Sequence, residues 1–149
     1  RASFMRAEGD KGDALLAQAF TPCDTLHKQG RQQMDFLKMD GRAVFRFTAK
    51  AVPSAIDGVL KKADIDMSQV DWVVPHQANA RILEMVSRRY GVPMEKIFSN
   101  IDKVGNTSSA SIPICLDQMR RGGLLLPGQT AIFVGFGGGL TYGAILIQM

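Results

Sequence analysis

Between residues 43 and 63 apolar side chains return every fourth position, at Phe47, Ala51, Ala55, Val59 and Ala63, with Val52, Ile56 and Leu60 beside them. That spacing places them on one face of a helix, so residues 43–63 are predicted helical. Pro53 falls inside the pattern. It lacks a backbone donor and is expected to kink the helix or divide it in two. Lys61 and Lys62 occupy the last turn, where the helix dipole favours cations. Residues 79–90 form a second amphipathic stretch, with Ile82, Leu83, Val86 and Tyr90 set against Arg81, Arg88 and Arg89. Gly91 and Pro93 stop it. A third helix is expected over residues 107–121, opened by Ser/Thr and ended by Gly122 and Gly123. Pro113 costs little there if it lies in the first turns.

The strand signals are shorter. Residues 72–74 form an apolar run leading to Pro75 and His76, and residues 97–101 read as a short strand. Residues 130–136 and 140–148 are two apolar runs joined through glycines, predicted to pair antiparallel and to be buried on both faces. Near the start, residues 3–7 and 15–18 flank E-G-D-K-G-D, which suggests a hairpin or a sheet-edge element. Residues 21–40 are polar, irregular and interrupted by Pro22 and Gly30, as in a long surface connection. Strand, helix, strand, helix, strand, strand in this order indicates a layered α/β sheet. The chain contains no internal repeat and no low-complexity tract.

Composition narrows the class. With 149 residues, 46% hydrophobic and 21% charged, the chain fits one globular domain rather than a disordered segment. No apolar run approaches the roughly 18–20 residues that span a membrane, and no signal-peptide pattern opens the chain. It begins on Arg1 with strand-like sequence close behind, and so reads as an excerpt or a processed piece. The net charge of +4 suits an acidic partner, whether nucleic acid, anionic lipid or acidic protein. Two cysteines, Cys23 and Cys115, make no disulfide framework and fit a reducing cytoplasm. Cys23 and His27 pair on paper as metal ligands, but two ligands do not make a structural zinc site. No metal is expected.

Three features carry candidate chemistry. His76 stands at the end of a strand, where α/β proteins place reactive side chains. A lone histidine is more often structural. As a neutral imidazole, however, it can donate one N–H to a substrate oxygen. Asn106 lies in V-G-N-T-S-S-A. Such an asparagine is commonly a turn or cap residue, and its functional role would be a second neutral donor at a helix N-terminus. G-F-G-G-G-L, residues 135–140, fails as a nucleotide loop because Leu140 takes the third glycine's place and a strand follows. It is either a tight hairpin or bare backbone that lets a glycine N–H approach a carbonyl, and both can hold together. No nucleophile accompanies them. Cys115 lies mid-helix, Cys23 has no base adjacent in sequence, and no G-x-S-x-G elbow is present.

As a set, M-D-G-R-A-V-F-R-F, D-W-V-V-P-H-Q-A-N-A-R, G-N-T-S-S-A-S-I-P and G-F-G-G-G-L-T-Y-G-A resemble the C-terminal half of the β-ketoacyl-acyl-carrier-protein synthase III family. The resemblance implies a thiolase-like layered α/β/α half, its mixed sheet ending in an antiparallel strand pair. It divides the chain into residues 1–38, the end of a preceding half plus an irregular connection, and a C-terminal domain over residues 39–149. It implies a homodimeric cytoplasmic enzyme without cofactor, nucleic-acid or membrane partner, acting on acyl-CoA and malonyl-acyl-carrier protein. In the family's Cys-His-Asn triad, His76 and Asn106 match the residues that bind the malonyl thioester oxygen. Gly138 matches the glycine whose N–H joins the oxyanion hole of the acyl thioester. The nucleophilic cysteine belongs to the N-terminal half and is absent here. Arg81 matches the main contact for the acidic carrier protein, on a helix face it shares with Arg88 and Arg89, and Arg46 matches a position where another basic residue often contributes. Ala78, Asn79, Gly41, Phe45 and Phe136 match positions around the pantetheine tunnel. G-F-G-G-G departs from the G-F-G-P-G of type III polyketide synthases. A quinolone- or alkene-forming paralogue, and a non-catalytic partner subunit, remain the alternatives.

Overall fold

The computed structural model describes residues 2–17 and 36–149. Strand β1 (Ala2–Ala7) is followed by a 3-10 turn, Gly9–Ala14. Strands β2 (Leu15–Leu16) and β3 (Lys38–Met39) pair with each other in a small ribbon. Helix α1 (Gly41–Ala63), β4 (Trp72–Pro75) and α2 (Ala80–Tyr90) come next. A short α3 (Ile101–Val104), α4 (Ser111–Arg121), β5 (Thr130–Gly137) and β6 (Thr141–Gln148) complete the order. The main sheet runs β1-β6-β5-β4, antiparallel except for the parallel β5–β4 pair.

Alternation along β5 explains the layers. Side chains of a strand point to opposite faces in turn. Ile132 and Val134 therefore meet Val52, Ile56 and Val59 of α1 and Leu83 and Val86 of α2. Ala131 and Phe133 meet Cys115 and Met119 of α4 on the other face. The expected two-sided burial holds for β5 but not for β6, whose Ala144 and Leu146 are buried while Ile145 is 47% exposed. The cause is coverage: the α4 cluster takes its buried residues from β4 and β5 and reaches β6 only at the partly buried Ile147, leaving Ile145 and Met5 exposed.

Helix α1 is not divided at Pro53. Losing one helical hydrogen bond at a proline costs ~3 kcal/mol, whereas each fully buried aliphatic side chain contributes about 1.5–3 kcal/mol. Val52, Ala55, Ile56 and Val59 flank the proline and pack on one sheet face, so burial outweighs the lost bond. Asp40 caps the helix, its Oδ1 accepting from the N–H groups of Arg42 and Ala43 at 2.9 and 3.0 Å. Those backbone donors hold its carboxyl below the usual carboxylate range.

Three further expectations change. Of the two readings for residues 3–7 and 15–18, the sheet edge holds and the hairpin does not: E-G-D-K-G-D folds into the 3-10 turn, β1 pairs with β6 at the edge of the main sheet, and β2 pairs with β3. Residues 97–101 form no strand. Ile97 makes a single parallel bridge to Val73, and the buried side chain of Gln77 takes the carbonyl of Phe98 and the N–H of Asn100. Those groups would otherwise have continued a ladder. The third helix begins at Ser111, because a 3-10 turn, Ser108–Ala110, precedes it and Ser108 has φ 52°. Of the irregular connection, residues 36–40 are seen as β3 and the α1 cap, while Cys23 and His27 lie outside the described residues.

Candidate active site

The end of β4 is locked before it delivers His76. The His76 N–H donates to Val134 O at 2.8 Å, the last rung to β5. The next side chain, Gln77, is fully buried. Its Nε2 donates to Pro75 O at 2.7 Å and Phe98 O at 3.2 Å, and its Oε1 accepts from Ser99 Oγ at 3.3 Å and Asn100 N at 3.2 Å. A fully satisfied buried amide is rigid, since any displacement orphans several groups at once. Asn79 then caps α2, its Oδ1 accepting from Arg81 N at 3.0 Å.

The His76 ring is half-buried. It stands edge-on to Phe136, with centroids 5.1 Å apart and planes at 71°, and Nδ1 lies 2.5 Å from Ser111 Oγ. Burial lowers its pKa below 6.5, so the ring is neutral at pH 7. Asn106 follows Gly105, whose φ of +66° turns the chain. Its Oδ1 accepts from Ser108 N at 2.9 Å. With the oxygen anchored, the amide NH2 is the end left to donate.

The glycine loop between β5 and β6 is held from both sides. Thr141 Oγ1 donates to Gly138 O at 2.9 Å, and Glu8 and Leu140 exchange backbone bonds of 2.8 and 3.2 Å. Gly139 has φ +126°, a conformation side chains rarely adopt.

A cavity of about 590 Å³ joins these parts, lined by His76, Asn106, Gly138, Ala78 and Phe136 with Leu15, Leu37, Met39 and Ile112 as apolar wall. Other predicted residues lie elsewhere. Phe45 and Arg46 line a neighbouring hollow of about 690 Å³ with Lys11 and Lys50. Gly41 is the first residue of α1, and Asn79 serves as a cap. On α2, Arg88 pairs with Glu84 at 3.6 Å and Arg89 with Asp57 at 3.7 Å, while exposed Arg81 has no ion pair among the described residues. Ser111 and Gln77 escaped the sequence reading. Serine at a helix start looks like a cap, and a glutamine after a strand looks solvent-facing.

Two neutral donors and a glycine loop around an apolar cavity suit a carbonyl oxygen that gains negative charge. No thiol of the described residues is poised to attack it. Cys115 is buried in α4, and burial raises its pKa to about 11. Among the described residues no group of three or more His, Cys, Asp or Glu is arranged for a metal.

The fold is that of the thiolase-like proteins. The 3-oxoacyl-[acyl-carrier-protein] synthase III of Thermus thermophilus superposes with TM-score 0.88 at 32% identity, covering 100% of this chain and 46% of that one. The corresponding structure from Pseudomonas aeruginosa gives TM-score 0.85 at 33% identity, over 99% and 43%. Xanthomonas campestris OleA, at 17% identity and TM-score 0.81, shares the fold. Residues 60–149 match the family described as 3-oxoacyl-[acyl-carrier-protein] synthase III C terminal, and the chain belongs to it. It is 42% identical over 146 residues to the β-ketoacyl-[acyl-carrier-protein] synthase III of Clostridium perfringens, covering 97% of this chain and 45% of that relative. The Streptococcus suis protein of the same name is 43% identical over 153 residues, covering 99% and 46%. The chain spans about half the length of the curated relatives it matches.

Proposed function

We propose that this chain is the C-terminal catalytic half of a β-ketoacyl-acyl-carrier-protein synthase III. The observation that carries this reading is the single cavity lined by His76, Asn106 and Gly138. In the reaction, an acyl group from acyl-CoA rests on a cysteine of the N-terminal half. The malonyl thioester binds with its carbonyl oxygen facing His76 and Asn106. The bond to the carboxylate breaks, carbon dioxide leaves, and the electron pair moves into an enolate whose oxygen the two donors stabilise. The enolate carbon attacks the acyl-cysteine carbonyl, Gly138 N–H receives the tetrahedral oxyanion, and the cysteine thiolate departs as the new carbon–carbon bond is retained. Malonyl is delivered by acyl carrier protein on the basic side chains of Arg81, Arg88, Arg89 and Arg46. The pantetheine arm runs past Ala78, Asn79, Gly41, Phe45 and Phe136, and the working enzyme is a cytoplasmic homodimer.

An exposed patch of the sheet supports an N-terminal half. On the face shared with α4, β1 and β6 expose Met5 at 83% and Ile145 at 47%, and Gly135 and Gly143 open a shallow hollow beside Met5. An uncovered apolar sheet face on a chain half as long as its relatives supports an N-terminal half packed there. The domain division at residues 38 and 39 belongs to the same proposal.

In the complete protein, His76→Ala and Asn106→Ala should each keep acyl transfer to the cysteine and lose malonyl decarboxylation by about 10²–10³-fold, the scale for one oxyanion donor. Radiolabelled acyl-enzyme and carbon dioxide release measure the two steps separately. Decarboxylation unchanged in both variants overturns the assignment. The isolated chain, assayed alongside, should condense nothing.

A further inference from the structure

His76 has two ring nitrogens, and the surroundings of Ser111 decide which one carries the proton. Ser111 opens α4 and is 1% exposed. Its Oγ lies 2.5 Å from His76 Nδ1 and also accepts from the Gln77 backbone N–H at 3.4 Å. A hydroxyl has one hydrogen and two lone pairs. Were Nδ1 protonated, Oγ would accept twice, and the hydroxyl hydrogen would have no acceptor among the described residues. An orphaned buried donor is disfavoured. With the hydroxyl donating to Nδ1, every group is matched: Gln77 N–H to Oγ, O–H to Nδ1, and the ring proton on Nε2.

We propose that Ser111 is a positioning residue that holds His76 as its Nε2–H tautomer. The hydroxyl fixes one edge of the ring while Phe136 packs against it at 5.1 Å. Ser111 also joins the two parts of the site, since it begins the helix that the Asn106 loop enters while bonding the histidine of β4. Its loss disturbs His76 and not Asn106, whose Oδ1 is held independently by Ser108 N. Use of the Nε2 proton on a thioester oxygen rests on the function proposed above. The tautomer does not.

The test uses the complete protein with 15N-labelled histidine, the His76 signals identified by their loss in His76→Gln. Wild type should show an unprotonated Nδ1 and a protonated Nε2. Ser111→Ala should give a mixture of tautomers and lower kcat for malonyl decarboxylation on the order of tenfold, with KM little changed. Ser111→Cys keeps the size and weakens the donor. It should fall between the two, and it carries the test if the alanine variant does not fold. A proton on Nδ1 in wild type, or variants that stay wholly Nε2–H, overturns the proposal whatever the rates. A tautomer shift without any change in decarboxylation supports the role of Ser111 and refutes the one given to His76.

Discussion

At the scale of single residues, the neutrality of His76 has a thermodynamic counterpart. Its folded pKa lies below 6.5 because the half-buried ring is poorly solvated when charged. Between the folded and unfolded values the unfolded chain binds more protons, so stability rises with pH through that window. The contribution is fully present above about 6.5 and is lost as pH falls through the folded value. Urea midpoints at pH 7.5 and in mild acid should therefore drop less in His76→Gln than in wild type. Equal drops would assign the acid sensitivity elsewhere. At this scale the local sequence marks His76 and Asn106 only as a strand-end histidine and a turn asparagine, and it is the set of motifs around them that singles them out as candidates. Ser111 is not singled out, because its partner His76 is 35 residues away in the chain and nothing local marks a hydroxyl as a histidine's anchor.

Elements meet where small residues allow it. A Cβ added at Gly58 of α1 would lie 2.3 Å from Phe4 Cδ2 and 2.6 Å from its Cγ, so the ring of β1 packs directly on the helix backbone. Gly58→Ala gains ~1 kcal/mol of helix propensity but overpacks the ring at a cost of about 1–3 kcal/mol. The ring root cannot swing aside as a flexible tip would. Thermal denaturation should show a net loss of stability, and a higher Tm would mean that Phe4 does not press on α1. Periodicity revealed α1, α2 and the β5–β6 pair because each depends on its own residues. It misread residues 97–101, where an apolar I-F beside polar S-N looks like a strand. There the ladder groups of Phe98 and Asn100 are satisfied by Gln77, a side chain from another segment that no local pattern encodes.

At the scale of the whole molecule, where the net charge is +4, the described cations divide into those with an acidic partner and those without one among the described residues. Arg88 and Arg89 have acidic neighbours, whereas Arg81 faces solvent at the start of α2. Arg81→Glu in the complete protein should raise KM for carrier-protein substrates far more than for CoA substrates, and added salt should shrink the difference. Equal loss for both would make Arg81 structural. The layered α/β class was readable from the order of elements, but the partner of β1 was not, since Ala2 pairs with Leu146. That pairing bears on how the chain is made. The last two strands, β5 and β6, occupy the middle of the sheet, between β1 and β4. During synthesis β1 is made long before β6, its neighbour in the sheet, and the faces of α1 and α2 that meet β5 and β6 stay uncovered until residues 130–148 have been added. Over that interval the unpaired strand and the apolar helix faces are open to aggregation. A stop before Thr130 leaves two outer strands that never meet.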